Sequence, residues 1–373
     1  MRLLLRVKRK RHNRKNTACS LILCLSMIIF VLISPGCSSL QSDQEMKGEI
    51  NVFNWGEYIS NGEEGTLDVI AEFEKTHNIN VNYTTFETNE QLYNILKKSN
   101  SSYDIIFPSD YMISKLIEEN MLFEIDFSNI PNFSNIMEDY KNLSFDPSNK
   151  YSVPYAWGTT ALVYNKTMVT GEIKGWDVLW DPAYEGKLLM FNNSRDSMAI
   201  AIQMCGLDVN NITKDVIDQA AEKLREQKPL VKKYVMDQVL TEMENNQSAV
   251  APYYAGDILQ MMENNKNLDY AMPEEGANWF VDSMCIPSSS KNKALAEEFI
   301  NFMLEPEVAK ENSLYIGYST PNKAAYDLLD EELRNNPLVY PPRSYLDKCY
   351  SFSNLPGDIY NYMEEQFIKV SSR

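Results

Sequence analysis

The chain has 373 residues, of which 44% are apolar and 23% charged, so it can bury a full core and exceeds what one compact domain usually holds. Its net charge of −17 makes nucleic acid and anionic membrane surfaces poor partners. Histidine occurs only at His12 and His77, so a catalytic triad or a multi-histidine metal site would depend on His77. We expect His77 to end a helix and face solvent, and we predict neither a metal nor a cofactor.

The first residues are typical of an export signal. Eight basic residues and no acidic ones lead into an apolar run at 21–33, which is too short to favour a permanent membrane span. The run ends in SPGCSS, which resembles a bacterial lipobox, although Ser34 stands where leucine is usual. We predict a lipoprotein signal peptide over 1–36, lipidation of Cys37 and a flexible tether over 37–48. An uncleaved anchor and plain secretion are the alternatives.

Removal of this leader would change the charge and the cysteine count. Because the eight basic residues would leave without any acid, the net charge of −17 would become about −25, and the field would attract a cationic ligand. Three cysteines would remain besides the lipidated one, namely Cys205, Cys285 and Cys349. Their number and spacing do not form a disulfide framework or a zinc site, so we expect buried free thiols or at most one bridge.

From residue 49 onward, apolar residues alternate between strand and helix periods. The resulting βαβαβ pattern predicts a mainly parallel, doubly wound sheet, on which ligands bind at the carboxyl ends of the strands. The predicted strands are 49–55, 79–86 and 103–108, and the predicted helices are 63–76, 89–98 and 110–120.

A long extended segment at 151–165 is predicted to cross from this first lobe into a second one. The second α/β pattern has predicted strands at 187–191, 248–254 and 268–272, and predicted helices at 195–205, 213–227, 233–245 and 257–264. The extended run at 279–287 is interpreted as the return crossing. Helices at 291–303 and 306–314 then complete the first lobe, and a helix at 358–369 ends the chain.

Aromatic and acidic residues meet repeatedly where apolar runs end. The first strand, in INVFNWGEYIS, ends in an aromatic-carboxylate-aromatic loop formed by Trp55, Glu57 and Tyr58. Similar meetings recur at 108–111, 193–196, 253–257 and 279–282. A single meeting of this kind is explained by ordinary packing, but the recurrence favours the rim of a ligand-binding cleft.

Several long segments resemble the spermidine/putrescine-binding extracytoplasmic proteins of bacterial ABC importers. They include YDIIFPSDYMISKL, YSVPYAWGTTALVYN, PEEGANWFVDSMCIP and IGYSTPNKAA, and the resemblance covers nearly the whole chain after the leader. It implies a type II periplasmic-binding-protein fold with a cleft between two α/β lobes that close on the ligand. Lobe 1 would comprise 49–157 and 283–326, and lobe 2 would comprise 158–282 and 327–373. The resemblance also implies a monomer without enzymatic activity that delivers a polyamine to permease subunits of an ABC transporter.

The resemblance also implies which residues bind the ligand. Matched position by position, the binding residues are Trp55, Glu57, Tyr58, Ser109, Tyr111, Asn193, Asp196, Tyr254, Asp257, Phe280, Asp282 and Tyr318. Gly56 replaces a hydroxyl residue of the family, and Asn193 replaces an aspartate of the spermidine type. Asp257 and Phe280 are similar to the putrescine type, so we expect both ligands to bind, with putrescine at least comparable.

This set of residues suits the shape of a polyamine, which is an apolar ribbon with ammonium groups at intervals. Aromatic walls fit the ribbon, and carboxylates pair with the charges. Structural roles remain open for several members: a turn for Glu57, helix starts for Asn193, Asp196 and Asp257, and packing for Tyr111 and Tyr318. Asp282 is the exception, because an acid inside an apolar strand needs a partner.

Three other functions compete with polyamine delivery. Paired acids such as Glu57 and Asp282 are also compatible with a glycosidase or a lyase. A sensor that binds the same ligand and signals to a receptor is a second alternative, and a binding protein for another cationic molecule is a third.

Overall fold

The computed structural model describes residues 46–98 and 102–372, and the chain from Met46 onward forms one compact unit. The predicted signal peptide, the lipidation site Cys37 and most of the predicted tether lie outside the described residues. Within the described ranges, none of the helices has the length and apolar character needed to cross a membrane.

Nine strands are found in these ranges, and they alternate with helices over most of the chain. The strands are β1 Gly48–Trp55, β2 Ile79–Phe86, β3 Ile105–Ile106, β4 Ser152–Asn165, β5 Leu188–Phe191, β6 Val231–Val235, β7 Val250–Tyr254, β8 Leu268–Ala271 and β9 Trp279–Cys285.

The α-helices begin where local sequence caps them. Asp68, Thr88, Asn193, Thr213 and Asn322 each accept a hydrogen bond from a backbone N–H of the first turn, which otherwise lacks a partner. The helices are α1 Val69–His77, α2 Asn89–Leu96, α3 Asp110–Glu118, α4 Ser194–Met204, α5 Lys214–Gln227, α6 Gln238–Glu244, α7 Ala255–Asn264, α8 Lys293–Met303, α9 Pro306–Ile316, α10 Lys323–Leu328, α11 Glu331–Arg334, α12 Arg343–Leu346 and α13 Gly357–Ser371.

The strands follow the order β2-β1-β3-β9-β4-β7-β5-β6, with β8 also paired to β4. The β1–β2, β1–β3, β5–β6 and β5–β7 pairs are parallel, as the βα alternation predicts. The pairs made by β4 and β9 are antiparallel, because these two long strands run in opposite directions between the lobes. The sheet is therefore mixed, with parallel parts on either side of an antiparallel centre.

The buried apolar residues form separate cores for two lobes. One core surrounds β1, α8 and α9, and a smaller cluster around α2 and α3 lies beside it. The other surrounds β5, α4, α5 and β7 and also takes in α13. Along β4, Trp157 belongs to the first core and Ala161 to the second, so this strand links the lobes. The full lobe boundaries given above stay a prediction.

Two predicted helices differ in the structure. The helix expected at 63–76 is a 3-10 turn at Glu63–Gly65 followed by α1, because Gly65 has a φ of +89° and Asp68 starts a new cap. The helix expected at 233–245 was wrong in its first part, since Val231–Val235 forms β6 beside β5 and the helix begins only at Gln238.

His77 also differs from the prediction that it faces solvent. It does end α1, but it is half-buried, with its ring stacked on Phe73 at 4.5 Å between centroids. Packing, rather than catalysis or metal binding, accounts for this histidine. In the described parts of the chain no group of three metal-ligating side chains is close enough to hold a metal ion.

Candidate functional site

Four aromatic rings form a continuous row between the two cores, called here the aromatic row. Tyr58 follows β1, Tyr318 follows α9, Phe280 lies on β9 and Tyr254 ends β7. The centroids are 5.8 Å apart from Tyr58 to Tyr318, 5.9 Å from Tyr318 to Phe280 and 5.8 Å from Phe280 to Tyr254. All three contacts are edge-to-face, which is a favourable arrangement for aromatic rings.

An aspartate accepts a hydrogen bond from each tyrosine of the aromatic row. The pairs are the Tyr58 hydroxyl with Asp282 Oδ2 at 2.7 Å, the Tyr318 hydroxyl with Asp257 Oδ2 at 2.6 Å and the Tyr254 hydroxyl with Asp196 Oδ2 at 3.0 Å. The structure thus brings seven of the twelve predicted site residues together as one row of rings edged by carboxylates.

Asp282 lies on the same face of β9 as Phe280, because side chains two positions apart in a strand point the same way. It is only 5% exposed, and its Oδ1 atom has no hydrogen-bond partner among the described residues. Burial raises the pKa of its carboxyl to about 6, although the nearby Ser109 and Tyr58 hydroxyls lower it. Its charged form is therefore costly until a cation arrives.

Asp196 lies in the first turn of α4, where Asn193 caps the helix. The Asn193 side chain accepts from the backbone N–H groups of Arg195 and Asp196, and its amide donates to Asp196 Oδ2 at 2.8 Å. Asp196 is 4% exposed, and its Oδ1 atom also lacks a partner among the described residues. Burial raises its pKa to about 6, opposed by Tyr254 and Arg195. Asn193 therefore orients an acid, whatever further contact it makes.

Asp257 lies in the first turn of α7 and is half-buried. The helix start passes very close to the end of α9, since a Cβ placed on Gly256 would lie 2.8 Å from the carbonyl oxygen of Gly317. Gly317 itself ends α9 with a φ of +77°, which glycine adopts at little cost. Two glycines thus allow the lobe that carries Asp257 to approach the lobe that carries Tyr318.

The first loop is divided between the site and the surface. Tyr58 is buried in the aromatic row, whereas Glu57 is exposed, with a positive φ of 54°. Trp55 packs against Phe86 at 4.4 Å between centroids, and its indole N–H donates to the Phe107 carbonyl at 2.8 Å. The structure therefore places Glu57 at a rim and Trp55 against the edge of lobe 1.

Tyr111 contacts a cation that belongs to the protein itself. The Arg195 guanidinium carbon lies 3.8 Å from the centroid of the Tyr111 ring, and the Tyr111 hydroxyl donates to Glu90 at 3.1 Å. The neighbouring Ser109 forms an isolated β-bridge with Asp282, and its hydroxyl accepts from Asn89 at 3.1 Å. Ser109 thus lies beside the row, while one face of Tyr111 is covered by Arg195.

Sequence reasoning missed Tyr155 and Asp110 as site residues. The Tyr155 hydroxyl donates to the backbone carbonyl of Tyr58 at 2.7 Å, and its ring lies 5.6 Å from the Tyr58 ring. Its place in the crossing strand β4 offered the only signal. Asp110 stands between two predicted residues, Ser109 and Tyr111, and its burial could not be read from a helix start.

Comparison with known proteins agrees with this geometry. Residues 68–341 match the family model described as bacterial extracellular solute-binding protein. A spermidine/putrescine-binding periplasmic protein of Salmonella typhimurium is 34% identical over 322 residues, which cover 86% of this chain and 90% of that one. The chain belongs to the bacterial extracellular solute-binding proteins. Membership places this solute-binding protein outside the cytoplasm, among transport proteins.

Two solved structures share its fold. A spermidine/putrescine ABC transporter protein from Listeria monocytogenes, assigned as putative, is 35% identical with a TM-score of 0.81, over 87% of this chain and 99% of that one. The spermidine/putrescine substrate-binding protein PotD of Streptococcus pneumoniae is 34% identical with a TM-score of 0.77, over 87% and 98%. This solute-binding protein therefore has the two-lobed periplasmic-binding-protein fold.

Proposed function

We propose that this solute-binding protein captures polyamines, putrescine and spermidine, in the cleft between its lobes and delivers them to the permease of an ABC transporter. The observation that carries the proposal is the pair of buried Oδ1 atoms on Asp196 and Asp282, which lack partners among the described residues. Buried unpaired carboxylate oxygens are costly, and an ammonium group relieves that cost through a charge-assisted hydrogen bond.

The aromatic row supplies the other half of the recognition. Polyamine methylenes can lie along the rings, and an ammonium group over a ring face gains roughly 0.5 to 2 kcal/mol when it is desolvated. The three tyrosine-paired acids lie at successive positions along the row, which matches a ligand that repeats charge and methylenes. The names of the relatives support the same class of ligand.

Calorimetric titration with putrescine, cadaverine, spermidine and spermine tests the proposal. Putrescine and spermidine are both expected to bind, because Asp257 adds an acid near Phe280 while Asn193 leaves one uncharged position. Recovery of unchanged ligand by mass spectrometry would agree with binding without turnover. An absence of binding at 1 mM ligand, which corresponds to a binding free energy weaker than about −4.1 kcal/mol, would contradict the proposal.

We also propose that the protein is a monomer held at the membrane by a lipid on Cys37. The basic leader, the apolar run and the SPGCSS junction support this anchor. Replacement of Cys37 by alanine is expected to abolish lipid labelling and to release the protein or block its processing. A variant that fractionates, migrates and labels like the parent would contradict the anchor.

A further inference from the structure

A third buried aspartate, Asp110, lies beside the site and has no assigned role. It is the first residue of α3 and is only 2% exposed. Its Oδ1 atom accepts from the backbone N–H of Tyr111 at 2.7 Å, but Oδ2 has no partner among the described residues. A carboxylate in such surroundings is as unusual as Asp282, and it calls for a partner.

Charged groups of both lobes face this carboxyl. Asp282 on β9 and Asp196 on α4 repel its charge, whereas Arg195 on α4 attracts it. The residue before it, Ser109, forms an isolated β-bridge with Asp282. On α2, Glu90 accepts a hydrogen bond from the Tyr111 hydroxyl. Asp110 therefore lies within electrostatic reach of the two site acids whose Oδ1 atoms are also unpaired in the described structure.

Arg195 does not already serve as the partner of Asp110. Its guanidinium covers the Tyr111 ring and donates from Nη1 to the Ser353 carbonyl at 3.2 Å. No ion pair within 4.0 Å joins it to Asp110 among the residues described. The carboxyl thus keeps one open acceptor that faces the acids of the site.

We propose that Asp110 is a further ligand-contact residue, which pairs with an ammonium group of the bound polyamine and releases a proton as it does so. This inference rests on the proposed function and adds a third buried acid to the site. It also gives ligand binding a dependence on pH that the other two acids do not produce near neutrality.

The release of a proton follows from the state of Asp110 before ligand arrives. Burial, the first cause, and the charge of Asp282 raise its pKa to about 8, so the carboxyl is mostly protonated at pH 7 in the free protein. Asp196 and Asp282, with pKa values raised to about 6, are mostly ionised at that pH. Ligand amines stay charged up to pH 8, since an alkylammonium such as that of lysine has a pKa of about 10.4. Close to one proton should therefore leave, chiefly from Asp110.

The experiment compares the parent with Asp110→Asn by calorimetry with putrescine and spermidine at pH 6, 7 and 8. Asparagine keeps an oxygen for the Tyr111 N–H but cannot gain the charge. We expect the variant to bind about tenfold or more weakly at pH 8. The difference should nearly vanish at pH 6, because there the parent must first lose a proton. At pH 7, titrations in two buffers of different ionisation enthalpy should show that the parent releases close to one proton more than the variant.

The matched control is Asp347→Asn, which removes one negative charge from an exposed side chain. It should bind like the parent at all three pH values, with the same proton release. Thermal melting of ligand-free Asp110→Asn at pH 8 should lie at or above that of the parent, since an ionised buried acid has been removed.

Three results would overturn the inference. One is an Asp110→Asn protein that binds within twofold of the parent at pH 8, and another is a loss of affinity that is equal at pH 6 and pH 8. The third needs no variant: a parent that releases almost no proton at pH 7 excludes the role of Asp110 even if the variant folds poorly. A parent that binds no polyamine at any pH would instead overturn the proposed function and this inference together.

Discussion

At the scale of single residues, the site is defined by acids whose neighbours are tyrosines rather than basic side chains. Tyr58, Tyr254 and Tyr318 each donate one hydrogen bond to an aspartate, but a hydroxyl carries no positive charge. The cost of burying the carboxylates is therefore reduced without being removed. A cationic ligand gains what the tyrosines do not supply.

Asp282 is the residue on which affinity should depend most. Replacement of Asp282 by asparagine keeps its volume but leaves a ligand ammonium without a counter-charge, which should cost about 2 to 5 kcal/mol of binding, or about thirtyfold or more in affinity. The exposed Glu57 provides the comparison: Glu57→Gln should cost less and depend more on salt. Titration of both variants at two ionic strengths measures this, and binding of Asp282→Asn within threefold of the parent would remove Asp282 from the site.

The same burial predicts how the ligand-free protein responds to pH. The pKa values of Asp196 and Asp282 are raised to about 6, above the unfolded value of about 3.9. Their neutral forms stabilise the fold below about pH 4, and this contribution is lost as pH rises through about 6. We expect the free energy of unfolding to fall between pH 4 and 7 by on the order of 2 kcal/mol for each group.

Asp282→Asn isolates one of these contributions. Denaturant unfolding of the ligand-free parent and variant at pH 4, 5, 6 and 7 should show that the variant gains stability relative to the parent as pH rises. A difference between the two proteins that stays constant over this range would show that Asp282 does not titrate with a raised pKa.

At the scale of helices and strands, the sequence predicts most elements, and its failures have physical causes. The strand β6 has Lys232 and Lys233 on an outer strand and pairs with β5 alone, so it lacks the apolar alternation that identifies a strand. Its position depends on pairing with a strand some 40 residues earlier, which a local pattern does not encode. The helix at 63–76 failed because the turn at Gly65 interrupts an otherwise helical pattern.

The site shows the same division between local and distant information. Resemblance could indicate Asp282 and Tyr58 separately, but not the hydrogen bond between them, which joins residues 224 positions apart. It also could not show that Arg195 covers the ring of Tyr111, since that contact forms only where α4 meets α3. The role of Asn193 as a cap was readable locally, because a cap depends on the next three residues.

The close approach of α7 and α9 predicts the effect of one added methyl group. In Gly256→Ala the new Cβ would lie 2.8 Å from the Gly317 carbonyl, so the lobes must separate slightly and ligand affinity should fall by about tenfold. Ligand-free stability should change little, because alanine favours a helix more than glycine does. The control is Gly357→Ala at the start of α13, where a Cβ meets no atom within 4 Å. Equal affinities of the two variants would show that this approach does not limit closure.

At the scale of the whole molecule, β4 and β9 are the strands that connect the lobes, so bending near 156–160 and 280–284 is the expected hinge. Small-angle scattering of a sample freed of ligand should show a smaller radius of gyration when putrescine or spermidine saturates the protein. Gly256→Ala, which opposes closure, should show a smaller decrease. A radius that does not change on saturation would indicate a rigid, preformed site.

The hydrogen bond between Tyr318 and Asp257 joins the two lobes with no cargo between them. A transporter that recognises only the closed outline of its partner would accept such empty molecules and hydrolyse ATP in cycles that move nothing. Avoiding this waste requires that the empty form close rarely, and repulsion among the cleft aspartates works against closure while the tyrosine bond favours it. The balance between these two contacts therefore contributes to how much ATP the transporter hydrolyses when polyamines are scarce.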